Sequence, residues 1–181
     1  ILIRAFAKFA ADKPDAFLYL HTDPDDIGWD LRDLLRRHGV AERTAFSRRA
    51  SVTDGLSAKE LNEVYNLFDI MALPTAGEGF GLPLLESMAA GTPVVTTRCS
   101  ACVELVEGRG ELIAVRDHVT VGRYNIDQAV PDTDDLIALL DKLYNDPGLR
   151  ERHSAAGRKF ALTLDWSIIA QQWVTQIDEI L

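Results

Sequence analysis

Gly77-Glu78-Gly79-Phe80-Gly81-Leu82-Pro83-Leu84-Leu85-Glu86 is the stretch that decides the fold. It follows Asp69-Ile70-Met71-Ala72-Leu73-Pro74, a short apolar run of the kind that makes a buried strand. It leads into Leu85-Glu86-Ser87-Met88-Ala89-Ala90, a helical segment closed by Gly91. Pro83 suits the first turn of that helix, where its missing N–H costs nothing. The pattern predicts strand, glycine loop, helix. The glycines let backbone N–H groups approach a ligand, and the helix N-terminus adds a partial positive charge that favours phosphate. Glu78 lies in the loop. Glu86 lies one turn into the helix, at i+4 from Leu82 and on the same face. A carboxylate does not bind phosphate; it accepts hydrogen bonds from hydroxyls. A phosphate cradle with a carboxylate at each end therefore describes a site for a sugar nucleotide.

Outward from the loop, strand and helix patterns alternate. Towards the N-terminus, Ile1, Leu2, Ala5, Phe6, Phe9 and Ala10 give residues 1–11 a helical period. Ala16 to His21 reads as a strand, nearly continuous in apolar residues as in a sheet covered on both faces. A helix is predicted from about Trp29 to Arg37 with Gly39 past its end, then a short strand over Thr44 to Ser47. Arg48 to Gly55 reads as a polar loop, and Ser57-Ala58-Lys59-Glu60 as a capping box opening the helix before the key strand. Towards the C-terminus, Thr92 to Thr97 is a second buried strand, Cys102 to Val106 a short helix and Glu111 to Val115 a last strand. Arg116 to Pro131 has no helical period, and Val119, Val121 and Tyr124 suggest an extended or hairpin segment. Three helices complete the chain: Asp132 or Thr133 to Tyr144, Leu149 to Leu162, and a terminal helix over about 166–181. Alternation of this kind implies βαβ units, an α/β fold and a Rossmann-like parallel sheet with helices on both faces. Ligands of such sheets sit at the carboxyl ends of the strands. Glu78, His21, Arg48 and Cys99 all follow predicted strands and are expected along one cleft edge.

With 181 residues the chain suffices for one domain with a sizeable core. Its formal net charge of −9 and the isolated pairs Arg36-Arg37 and Arg48-Arg49 exclude a nucleic-acid face as the main function. No apolar run approaches a membrane span. The chain opens on Ile1-Leu2-Ile3-Arg4 without Met or a charged leader, so it is expected to be a fragment of a longer, cytoplasmic protein.

Other motifs are weighed against simpler readings. Cys99-Ser100-Ala101-Cys102 is a C-x-x-C after a strand, the placement of a redox pair, but it supplies only two of the four ligands of a structural zinc. Two reduced thiols are the preferred reading. The glycines run Gly77-x-Gly79-x-Gly81 rather than G-x-G-x-x-G, with Leu82 and Leu84 in the possible third positions. The rival, an NAD(P)-binding oxidoreductase domain in which Arg98 meets a 2′-phosphate, ranks below the sugar-nucleotide reading. Trp29, Trp166 and Trp173 are expected in the core or between helices. No Asp-x-Asp stands at a strand end in the site region, so no metal is expected; Asp23-x-Asp25 in the first loop is only a weak candidate.

Glu78-Gly-Phe-Gly-Leu-Pro-Leu-Leu-Glu86, two glutamates with seven residues between them, followed by Ser87 to Val95, resembles the retaining glycosyltransferases of the GT-B fold. The group with bacterial mannosyl- and glucosyltransferases is the nearest. The likeness runs over nearly the whole chain and is specific in its central motif. It implies the C-terminal, donor-binding half of a GT-B enzyme, a single domain over residues 1–181. The half's first strand, which carries an Arg and a Lys that clamp the diphosphate, and the N-terminal acceptor domain are not in the chain. The implied reaction transfers a sugar from a nucleoside diphosphate sugar, the co-substrate, to a glycan, lipid-linked or other acceptor, with retention and without a cofactor. Glu78 takes the catalytic role beside the donor sugar. Glu86 holds the ribose, and Gly79, Phe80, Gly81 and Leu82 hold the diphosphate. His21, which stands where the family usually has glycine, Arg48 and Cys99 form the site's edge. An inactive sugar-nucleotide-binding module is the second alternative. Acceptor binding, and any peripheral membrane contact, would belong to the missing domain. The terminal helix would pack back towards that domain, and the fragment alone is expected to be inactive.

Overall fold

Strands alternate with capped helices along most of the chain, and the sequence supplies the caps. The computed structural model describes residues 1–25, 28–47 and 54–180. In order come α1 (Leu2–Phe9), β1 (Leu18–Leu20), α2 (Leu31–Arg37), β2 (Thr44–Phe46), α3 (Ala58–Tyr65), β3 (Met71–Leu73), α4 (Leu82–Ala90), β4 (Val94–Thr97), α5 (Ala101–Val106) and β5 (Glu111–Ile113). A hairpin of β6 (Val115–Val121) and β7 (Ile126–Pro131) follows, then α6 (Thr133–Asn145), α7 (Pro147–Ala161) and α8 (Trp166–Ile180). Asp30 and Asp132 accept backbone N–H groups of the helices they open, and Ser57 and Glu60 close the predicted capping box. Asp146 ends α6 and caps α7, whose first residue is Pro147.

The two faces of the strands explain the layers. Val95, Ile113 and Ala72 pack with Phe6, Phe9, Leu136 and Leu140 of α1 and α6. Val94, Met71, Leu73 and Leu112 pack on the other side with Leu84, Met88, Leu105 and Val106 of α4 and α5. Alternate residues of one strand thus enter different cores, and β4 is buried along its whole length. On the second side α4 crosses α7 closely: a Cβ added at Gly157 would stand 2.9 Å from Met88 Cγ.

The expected single sheet is corrected in one respect. The parallel strands form two hydrogen-bonded sheets, β1–β2 and β3–β4–β5. Both rest on the cluster built around α1, since Leu18, Phe46 and Ala72 all pack against it. Yet among the described residues β1 and β3 share no ladder, and each has one edge without a strand. A ladder needs strands about 4.8 Å apart, and nothing in this order brings those two together.

The stretch expected to be extended is the antiparallel hairpin β6–β7, turning through Gly122 and Asn125, both at positive φ. Its outer part is exposed on both faces, while Ala129 and Pro131 at its base are buried. The tryptophans do not lie in the core of the described residues. Trp29, Trp166 and Trp173 are 79%, 83% and 67% exposed. Trp29 precedes the cap of α2, and the other two lie on α8, which has no buried residue.

At the opposite end of β5 from the hairpin, the Glu111 carboxylate is hydrogen-bonded by Lys142 Nζ at 2.7 Å and meets His153 Nε2 at 3.0 Å. Burial alone would raise its pKa, but those two partners outweigh it and hold the carboxyl below its ordinary value. With the folded value depressed, the unfolded chain binds more protons. The stabilisation is therefore full above about pH 4.5, where an unfolded glutamate ionises, and is lost as pH falls through the folded value. Thermal melts should show Glu111→Gln below the parent by on the order of 2–4 °C near neutral pH, what about 1 kcal/mol gives in a domain of this size. The gap should close towards pH 3.

Candidate functional site

Gly81 opens α4 and sets the shape of the loop before it. It is buried, has φ +94°, and a Cβ there would lie 3.1 Å from Leu105 Cδ1 and 3.2 Å from Leu84 Cδ1. Its carbonyl accepts the N–H groups of Leu84 and Leu85 at 3.0 and 3.2 Å, the first bonds of the helix. Gly77 and Gly79 differ: a Cβ on either would point into open space. Upstream, Thr75 hydrogen-bonds Gly77 in both directions, at 3.0 and 3.3 Å. The N–H of Glu78 donates to Ser100 Oγ at 2.8 Å, and the carbonyl of Ala76 accepts the N–H of Ala129 from β7 at 2.9 Å. Four consecutive N–H groups, those of Gly79, Phe80, Gly81 and Leu82, make no hydrogen bond among the described residues. They stand at the positive end of the α4 dipole, where an anion satisfies them best.

Glu86 lies where its spacing placed it, one turn into α4 and exposed. Its Oε2 accepts the hydroxyl of Tyr65 at 2.8 Å. Tyr65 ends α3 and is buried, and its ring meets Phe68 edge-on at 6.4 Å. Burial first, and the Glu86 carboxylate second, push the Tyr65 pKa far above its ordinary value, so the phenol stays protonated and remains the donor. One carboxylate oxygen is thereby fixed, and the other makes no hydrogen bond among the described residues. Glu78, in the loop after β3, is half-buried.

The expected edge residues fare differently. His21 Nδ1 lies 2.6 Å from Ser47 Oγ, which also meets Tyr19 Oη at 3.0 Å, so His21 ties the carboxyl ends of β1 and β2 together. Arg48 lies outside the described residues. Cys99 follows β4, half-buried and next to Ser100. Cys102 is fully buried, and that burial raises its pKa. Both cysteines are free thiols. Arg98 is engaged by Glu107 at 3.1 Å. Asp23 accepts the N–H of Asp25, and Asp25 pairs with Arg32. A cavity of about 400 Å³ beside α2 is lined by Trp29, Arg32 and Arg36 among others, and by none of the candidate site residues.

Sequence reasoning missed three parts of the site: Tyr65, Ser100 and the hairpin strand β7. Tyr65 reads as one more apolar helix position. Ser100 stands at the N-cap of α5, but its hydroxyl makes no cap bond there and accepts the N–H of Glu78 instead. Ala129 reaches Ala76 through its backbone, which leaves no mark on the side-chain pattern.

A family model described as glycosyl transferases group 1 matches residues 1–146. The phosphatidyl-myo-inositol mannosyltransferase of Mycobacterium tuberculosis is 35% identical over 175 residues, which are 95% of this chain and 41% of that protein. The MMP alpha-(1->4)-mannosyltransferase of Mycolicibacterium hassiacum is 32% identical over 82% of this chain and 34% of its own. The chain thus spans well under half the length of these relatives. Among solved structures, Anabaena HepE in complex with UDP superposes with a TM-score of 0.75 at 23% identity, over 98% of this chain and 44% of that one. The C-terminal domain of a group 1 glycosyltransferase from Francisella tularensis gives 0.67 at 22% identity, over 90% of this chain and 76% of that one. The fold follows from the structures and the family from the sequence match: the chain belongs to the group 1 glycosyltransferases and folds as one half of their GT-B architecture.

Proposed function

We propose that the chain is the C-terminal, donor-binding half of a retaining glycosyltransferase that takes its sugar from a nucleoside diphosphate sugar. The observation that carries this is the run of four unpartnered N–H groups from Gly79 to Leu82 with a glutamate on either side. A diphosphate on those groups is held without any metal. Glu86, steadied by Tyr65, presents its free oxygen to a ribose hydroxyl. Glu78 lies at the other end, against the hydroxyls of the donor sugar. As the bond to the leaving phosphate breaks, negative charge grows on the diphosphate, and preorganised N–H donors stabilise it most in the transition state. Glu78 faces the positive charge that develops at the anomeric carbon. The bound UDP of the Anabaena structure supports the nucleotide class. An Arg and a Lys from a further strand complete the diphosphate clamp, and an acceptor domain supplies the glycan or lipid-linked acceptor and any contact with a membrane surface. Among the described residues no helix is long and apolar enough to cross a membrane.

The test is calorimetric titration of the full-length protein with UDP, GDP, ADP and NADP⁺. One nucleoside diphosphate is expected to bind, and its sugar conjugate to be turned over with retained anomeric configuration. Binding of NADP⁺ without any nucleoside diphosphate would overturn the reading in favour of a dinucleotide domain.

A further inference from the structure

We infer that Ser100 is a positioning residue for Glu78, a role that rests on the reading of Glu78 as the group beside the donor sugar. Ser100 has φ +44° and ψ −141°, one of two non-glycine residues at positive φ among those described. A serine held there has its Cβ in a region that favours glycine. Such strain persists where the surrounding structure over-determines it, and it gathers at functional sites. The residue also declines its obvious local role. It stands at the N-cap of α5, where serine hydroxyls ordinarily accept a helix N–H, yet it makes no such bond. Its Oγ accepts the N–H of Glu78 at 2.8 Å instead. Ser100 is exposed, so water could serve its hydroxyl equally well. The unusual backbone aims the hydroxyl at the loop.

The topology gives that bond its effect. The loop from Pro74 to Gly81 joins β3 to α4, and the hydrogen bonds within it, made by Thr75, stop at Gly77. Two further anchors come from elsewhere in the fold. β7 grips Ala76 through Ala129 N–H, and Ser100 grips Glu78 itself. The hairpin leaves the sheet at β5 and returns to the loop after β3, so its base spans the carboxyl ends of β3, β4 and β5. Ala76 is held from β7 through its carbonyl, Gly77 by the side chain of Thr75 within the loop, and Glu78 by one side chain from outside it. Displacing a carboxylate by an ångström next to a reacting sugar lowers the rate of the chemical step, by as much as about 100-fold.

Two variants of the full-length enzyme separate the hydroxyl from the strain. Ser100→Ala keeps the Cβ and removes the tether; Ser100→Gly removes both. In each, kcat is expected to fall by about 10- to 100-fold, while affinity for the free nucleoside diphosphate stays within about twofold, because the Gly79 to Leu82 donors are untouched. The thermal midpoint of Ser100→Gly should equal or exceed that of the parent, since a strained residue is relieved. Amide hydrogen exchange at Glu78, whose N–H loses its acceptor, should quicken in both variants. That readout needs no activity, so it tests the tether even if the sugar-transfer reading fails, and a parent without turnover or nucleotide binding would report that separate failure. Unchanged exchange and unchanged kcat in Ser100→Gly overturn the inference. So does a loss of nucleotide affinity that matches the loss of kcat, which makes Ser100 a general support of the domain.

Discussion

Glu78→Gln in the full-length enzyme is expected to lower kcat by about 100-fold or more while leaving affinity for the free nucleoside diphosphate almost unchanged. In the proposed reaction the carboxylate acts where positive charge develops, and removing one preorganised group opposite developing charge typically costs about 10²–10³ in kcat. The free diphosphate has no sugar for Glu78 to touch. Glu86→Gln should behave in the opposite way. Its contact with the ribose is made equally in ground and transition states, so its loss raises the donor KM. A hydrogen bond to a charged group contributes about 1.5–3 kcal/mol against about 1 for a neutral one, which sets that rise near tenfold. Tyr65→Phe should act on the same parameter as Glu86→Gln and less strongly, since Tyr65 only steadies the carboxylate through its 2.8 Å bond. Titrating the free nucleoside diphosphate against both glutamate variants decides the matter. If Glu78→Gln loses more affinity for it than Glu86→Gln does, the two ends of the site are reversed.

The second large effect concerns folding. Gly110→Ala should lower the thermal midpoint by roughly 4–12 °C, the equivalent of about 2–3 kcal/mol of overpacking in a domain of this size. A Cβ at Gly110 would stand 2.6 Å from the carbonyl oxygen of Val94, and 2.8 Å from methyl groups of Val106 and Val94. The valine side chains can turn, but the carbonyl belongs to the backbone of β4 itself, and β5 would have to move away from it. Gly77→Ala is the control. Nothing lies within 4 Å of a Cβ there, and its midpoint should move by what an ordinary surface substitution gives, about ±0.5 kcal/mol. Equal losses in the two variants would show that β5 is not held against β4 at Gly110 as described.

Much of this was legible in the residues, for reasons that differ from part to part. The strand-loop-helix around Gly81 reads directly, because glycine, proline and the apolar run are each local signals. The capping box at Ser57 and the helix start at Asp132 are local in the same sense. The hairpin was visible as a missing helical period with Val119, Val121 and Tyr124 suggesting an extended segment. The division into two sheets was not legible, since strand neighbours are set by tertiary packing and not by any pattern within one strand. The tryptophans misled because size and apolarity suggest a core without saying which surface is available to form one. Within the site, the glutamates and glycines are motif residues at fixed spacing. Tyr65 and Ser100 act across 21 and 22 residues of chain, through a hydroxyl whose direction no spacing rule predicts.

The bare edges of β1 and β3 bear on how the chain behaves as a substance. A strand edge without a partner offers a row of N–H and C=O groups to whatever extended backbone comes near. In these residues by themselves, what comes near at high concentration is another copy. Among the described residues, the uncovered edges of β1 and β3 thus offer a concentration-dependent route to self-association of these residues, one that a strand paired to them would close. A short synthetic strand that fits between β1 and β3 would act on that route as a chaperone does, by occupying the template before a second copy can.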